Sequence, residues 1–219
     1  MTATESLPAL DAVRRELEID EQAPEDAPQV RVVLTLTTTL DPAPARLWPL
    51  LTRPAELRDW YGSVEGDLVE GGRVTAPDGG VRRVLGMQEP HRLSLAREEG
   101  AAEDHLLIRL DPEDDGTTQL TLRHTVLVPR ERFERGGPGD LALGWELALL
   151  ALAAHTDGWR GGCLAEAPVP TAAWRRSEEG RRYLRAWSVR WAAAAVAAGM
   201  DEGDARRAEA ETVRSHLEG

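Results

Sequence analysis

Residues 140–155 read DLALGWELALLALAAH, and the way this stretch must be packed decides the fold. Asp140 suits the N-cap of a helix over 141–155, because its short carboxylate can accept from free backbone N–H groups. Leu141, Leu143, Trp145, Leu147, Leu149, Leu150 and Leu152 leave only Glu146 and His155 polar along that helix. A helix apolar almost all round has to be enclosed on most of its sides.

The enclosing surface is predicted upstream. Val30, Val32, Leu34 and Leu36 alternate with Arg31, Val33, Thr35 and Thr37, the period of a half-buried strand. Two short helices follow, over 45–51 and 54–60. Asp41 offers the first a cap, Pro42 and Pro44 suit its first turn, and Pro49 keeps it short or kinked. Strand-like runs then succeed one another at 67–69, 73–76, 81–87, 93–97, 105–110 and 117–126. They are divided by turn signals such as Pro77-Asp78-Gly79-Gly80 and Asp114-Asp115-Gly116. Strands this close, with no helix between them, pair antiparallel. The predicted architecture is therefore α+β, an antiparallel sheet curled around one long helix.

This domain is expected to span 29–158. Ahead of it, residues 1–28 read as a flexible acidic tail with a short helix around 9–19. Behind it, a linker over 159–170 leads to a helical hairpin, Thr171–Ala198 and Asp201–Leu217, with Gly199 as the stop between them.

Composition narrows the function classes. A net charge of −12 makes nucleic acid a poor partner, and every one of the 26 basic side chains is arginine. Without lysine, no Schiff-base or lysine-base mechanism is available. The arginine usage, with much Ala, Gly and Pro, suggests a GC-rich genome. Cys163 is the single cysteine, which leaves no internal disulfide or cysteine-cluster metal site and fits a cytoplasmic setting. No run approaches the length of a membrane span, and the N-terminus lacks a basic region followed by an apolar run.

Five segments in order carry a family resemblance: PAPARLWPLLTRPAELRDWYG (42–62), VEGDLVEGGRV (64–74), EPHRLSLARE (89–98), DGTTQLTLRHT (115–125) and GWELALLALAAH (144–155). Together they resemble the Aha-type branch of the START-like (SRPBCC) superfamily. That branch takes its name from activators of the ATPase of the ninety-kilodalton heat-shock chaperone. The resemblance implies a helix-grip fold with an apolar cavity between sheet and long helix. It is compatible with a stand-alone bacterial, actinobacterial-type member, often linked to stress regulators. It licenses a cavity and no particular reaction.

Trp60, Tyr61, His105, His124, Trp145 and Leu149 are the candidates to line that cavity. Trp60 and Tyr61 end the second short helix, where they either flank a mouth or plug the core. His105 and His124 sit on adjacent predicted strands; a third metal ligand is missing, so each reads as a ligand-orienting group or a satisfied sheet histidine. Glu146 is a buried acid or base, or else a solvent-facing or arginine-paired carboxylate. Tyr183, Trp187 and Trp191 recur every fourth residue, as an intramolecular packing seam or as a homodimer contact or lid. The arginine-rich face of the same helix reads as solvated or matched to the acidic tail, with membrane or phosphate docking as the sharper reading. The Gly pairs lie between strands, so they are turns and not phosphate cradles, and no G-x-S-x-G elbow exists.

The expected function is binding of a small apolar or amphipathic ligand, with no cofactor, no metal and no chemistry required. A co-chaperone-like interaction module and a cyclase- or dehydratase-type enzyme are the alternatives. The first predicts a filled cavity. The second needs Glu146, His124 or a tyrosine inside it.

Overall fold

The structure, a computed structural model, describes residues 8–22, 28–98, 103–156, 158–159 and 167–217. Its elements run α1 (Pro8–Asp11), β1 (Val13–Gln22), β2 (Gln29–Leu40), α2 (Pro44–Thr52), α3 (Pro54–Trp60), β3 (Glu65–Gly66), β4 (Arg73–Thr75), β5 (Val81–Gln88), β6 (Arg92–Arg97), β7 (Asp104–Pro112), β8 (Thr118–Pro129), α4 (Arg130–His155), α5 (Ala172–Arg176), α6 (Glu178–Ala197) and α7 (Glu202–Leu217). The strands form one antiparallel sheet in the order β1-β2-β8-β7-β6-β5-β4-β3.

The fold is the helix-grip α+β arrangement. On β2, Val30, Val32, Leu34, Leu36 and Leu40 are buried in phase, as period two requires. Leu120, Leu122 and Val126 of β8 continue that face, and α4 lies across it. Burying these side chains is worth roughly 1.5–3 kcal/mol each. The apolar character of α4 on several sides has a second cause: α6 and α7 cover the part of it that the sheet does not.

Several expectations are corrected. Residues 13–22, read as part of a tail with a helix over 9–19, form an edge strand paired with β2 from Val13↔Thr38 to Gln22↔Gln29. Val13, Arg15, Leu17 and Ile19 lie on its less exposed face, alternating with exposed neighbours, so strand pairing overrides the local helix propensity of Arg, Glu and Leu. Asp41 does not cap α2; Ala43 takes that position, with Pro44 next to it. Nor does Asp140 start a helix, since α4 begins at Arg130 and is kinked at Gly137 (φ 58°, ψ −165°). The expected strand at 67–69 falls at 65–66 instead. The helix expected over 171–198 breaks at Ser177, which sits extended and accepts from Gly180 N–H as the cap of α6. Residues 1–7 and 23–27 of the expected tail, most of the expected linker, and Cys163 lie outside the described residues.

Candidate functional site

Between sheet and α4 lies an apolar cavity of about 80 Å³, walled by side chains that include Leu57, Leu95, Leu106, Leu122, Leu149 and Leu152. It abuts a larger and more polar vestibule of about 680 Å³. Trp60, Tyr61, Arg82, Trp145 and Ala148 border both spaces. Gly144, Ala148 and Ala151 are the α4 residues that leave the vestibule its room. Each is small, and they recur at helical spacing on one face.

Two hydrogen-bonded groups dress the vestibule. In the first, Arg82 on β5 donates to Asp78 through both terminal nitrogens, at 3.1 and 2.8 Å, and to Gly80 O at 3.3 Å. Asp78 comes from the β4–β5 turn, where its carboxylate also accepts from Gly80 N–H at 2.8 Å. The Arg82 hydrogen bonds hold the Asp78 carboxyl down at about 2, against the opposing effect of burial. In the second, Trp145 Nε1–H donates to His124 Nδ1 at 3.1 Å, and His124 Nε2 lies 3.0 Å from Asp104 Oδ1. An indole can only donate, so Nδ1 is the acceptor and Nε2 carries the proton donated to Asp104. Burial pushes the Asp104 carboxyl up, but the His124 hydrogen bond and the charges of Arg82 and Arg97 outweigh it and leave it below the ordinary value. Burial likewise pushes the Tyr61 phenol up, with Arg82 pulling the other way.

Of the candidates from sequence, Trp60, Tyr61, Trp145 and Leu149 line the inner cavity, and His124 lines the vestibule. Trp60 donates its indole N–H to Leu50 O at 3.0 Å, so it is anchored in the core while bordering the mouth. His105 is a correction. It pairs with Thr125 while Leu106 pairs with His124, so period two turns it to the opposite, exposed face. Arg82, Arg97, Asp78, Asp104 and Arg175 were not among the candidates. Among the described residues, no three His, Cys, Asp or Glu side chains could hold a metal ion, and no helix is long and apolar enough to cross a membrane.

Glu146 lies away from the cavity, on another side of α4. It is 2% exposed, and Arg15 of β1 grips both its oxygens at 2.6 and 2.9 Å while Trp191 Nε1–H donates at 2.8 Å. The arginine-paired reading of Glu146 is the one observed. Tyr183, Trp187 and Trp191 are 4%, 1% and 0% exposed. They form an intramolecular seam between α6 and the core, the first of the two readings of this stripe, and burial leaves these rings no surface for the alternative homodimer contact.

A curled antiparallel sheet gripping a long helix, with a cavity between them that opens past aromatics, defines a helix-grip protein of the START-like class. The family model described as activator of Hsp90 ATPase homolog 1-like protein matches residues 41–157, and the chain belongs to that family. Among solved structures, it is similar to CalU16 from Micromonospora echinospora. The solution structure of that protein is 24% identical, covers 91% of this chain and 100% of that one, and superposes with a TM-score of 0.60. Its crystal structure is 22% identical over 84% of this chain and 98% of that one, with a TM-score of 0.58. At these identities the likeness shows the fold alone. No curated protein matches the chain in sequence.

Proposed function

We propose that the protein binds a small amphipathic molecule, with a short apolar group in the inner cavity and the polar end in the vestibule. The observation that carries this reading is the shared wall of Trp60, Tyr61, Arg82, Trp145 and Ala148 between an apolar and a polar space. An inner volume of about 80 Å³ is roughly half of the ~150 Å³ known to admit benzene, so it suits a short aliphatic group. The vestibule, at about 680 Å³, falls in the ~300–1,000 Å³ range of ligand sites. Binding without chemistry suits the side chains at hand. Both His124 nitrogens are engaged, and Glu146 is held by Arg15 away from either space. An open cavity also favours a carrier or sensor over a module that acts only through its outer surface.

The test is a titration with an apolar fluorescent probe, on the native chain and on Ala148→Leu. Native protein should brighten the probe saturably. Ala148→Leu, which pushes a side chain into both spaces, should weaken that response at least tenfold while keeping its far-UV circular dichroism. Native protein that neither brightens the probe nor retains any small molecule in native mass spectrometry would overturn the reading.

A further inference from the structure

Among the described residues, the charged side chains around the vestibule are Arg82, Arg97, Arg175, Asp78 and Asp104, with His124 beside them. Three guanidinium groups against two carboxylates leave a net positive lining, within a chain whose net charge is −12. The pairing pattern matters more than the sum. Asp78 is occupied by both terminal nitrogens of Arg82, and Asp104 is occupied by His124. Arg97 approaches Asp78 only to 3.9 Å, beyond hydrogen-bond reach, and Arg175 has no carboxylate partner among the described residues. The two carboxylates are thus spoken for, while two cations at the same space retain donors.

Arg97 lies close to Gly80. A Cβ at Gly80 would come within 3.0 Å of both Cζ and Nη2 of Arg97, so the guanidinium lies directly over that glycine. Tyr61, at the border between the two spaces, forms no side-chain hydrogen bond among the described residues.

Building on the ligand-binding reading above, we propose that the vestibule is a carboxylate seat: Arg97 and Arg175 hold the anionic head of the ligand, and its short aliphatic group passes Tyr61 into the inner cavity. The ligand class is a short-chain carboxylic acid. A planar guanidinium matches a planar carboxylate in a way that a hydroxyl or amide head cannot.

Hexanoate, hexanol and acetate separate the contributions, read by the indole N–H resonances of Trp60 and Trp145 in the full chain. Hexanoate should bind about tenfold tighter than hexanol, the scale expected of a charge-assisted contact. Acetate, lacking the chain, should bind more weakly than hexanoate. The double variant Arg97→Gln/Arg175→Gln should bring hexanoate down to the level of hexanol and leave hexanol unchanged. Gly80→Ala, whose Cβ would press on both the Arg97 guanidinium and Asp78 Oδ1 at 3.0 Å without removing a charge, should weaken hexanoate by a few-fold more than hexanol. Equal binding of hexanol and hexanoate to the native chain, or a double variant that keeps the preference, overturns the carboxylate seat and leaves the cavity reading standing. Failure of all three compounds to move either indole overturns both.

Discussion

Glu146 shows what one buried side chain can determine. Its carboxylate is enclosed by groups from three parts of the chain: Arg15 on β1, Trp191 on α6 and its own helix α4. Removing one partner of such a pair strands the other charge, which typically costs about 3–5 kcal/mol, whereas replacing both with apolar groups is often neutral. Glu146→Ala should therefore lower the melting temperature by on the order of 10 °C, and Arg15→Met/Glu146→Leu should recover most of that loss. Asp78 makes a separate prediction about pH. Its carboxyl is lowered to about 2 in the folded chain by Arg82, so its contribution is present above the ordinary carboxylate value and lost as pH falls toward 2. A carboxyl-carbon NMR titration should place Asp78 at about 2, below the ordinary carboxylate value, and Arg82→Gln should return it toward that value. The vestibule's charged residues were partly legible in the sequence. Arg82 continues the inward phase of Val84, Arg97 that of Leu93 and Leu95, and Asp104 that of Leu106 and Ile108. A charge in phase with an apolar stripe is a signal that period two makes visible, and the same rule turns His105 outward. Pairing Asp78 with Arg82 needs the turn geometry, which no periodicity contains.

Elements were misread where a distant contact decided them. The stretch Val13 to Asp20 carries good helix formers and also a period of two, and only the free edge of β2 settles the matter. Gly136, Gly137, Pro138 and Gly139 directly precede the helix start expected at Asp140. In the structure they mark a kink within α4 where α7 comes close: Thr212 Oγ1–H donates to Gly136 O at 2.7 Å, and a Cβ on Gly137 would meet Ala208 at 2.9 Å. The break between α5 and α6 has the same kind of origin. A Cβ on Gly180 would lie 2.1 Å from Trp174 O and 2.9 Å from Arg175 Cα, both backbone atoms that cannot swing aside. Gly180→Ala should force α5 away from α6 at a cost of about 1–3 kcal/mol, a melting loss of several degrees. Because α5 carries Arg175 into the vestibule, the same variant should also change the Trp145 indole resonance. A variant with native melting and native resonances would show that α5 is not held by this contact.

At the scale of the whole molecule, the sequence divides naturally into tail, domain and hairpin, and the packing joins them. The strand β1 completes the sheet, α6 rests on both β1 and α4, and α7 lies on α4 and α6. Tyr183, Trp187 and Trp191 are buried in the same cluster as Leu34, Leu36 and Leu150, so the hairpin shares the core of the domain. The composition of the hairpin concealed this, because arginines dominate its outer face and only the four-residue recurrence of aromatics marks its inner one. A shared core implies shared unfolding, since among the described residues the apolar contacts run across the border between hairpin and domain. Urea unfolding followed by tryptophan emission and by far-UV circular dichroism should therefore give a single coincident transition. The indoles of Trp187 and Trp191 report the hairpin seam and those of Trp48 and Trp145 report the grip domain, so a hairpin that melted alone would separate the two signals. The Glu146→Ala variant sharpens the test, because it loosens β1, α4 and α6 at one point. If the three parts are one cooperative unit, its transition should move to lower urea without splitting, with an unchanged slope. A second transition in that variant would mean that the buried ion pair, and not the shared apolar core, is what couples the hairpin to the grip.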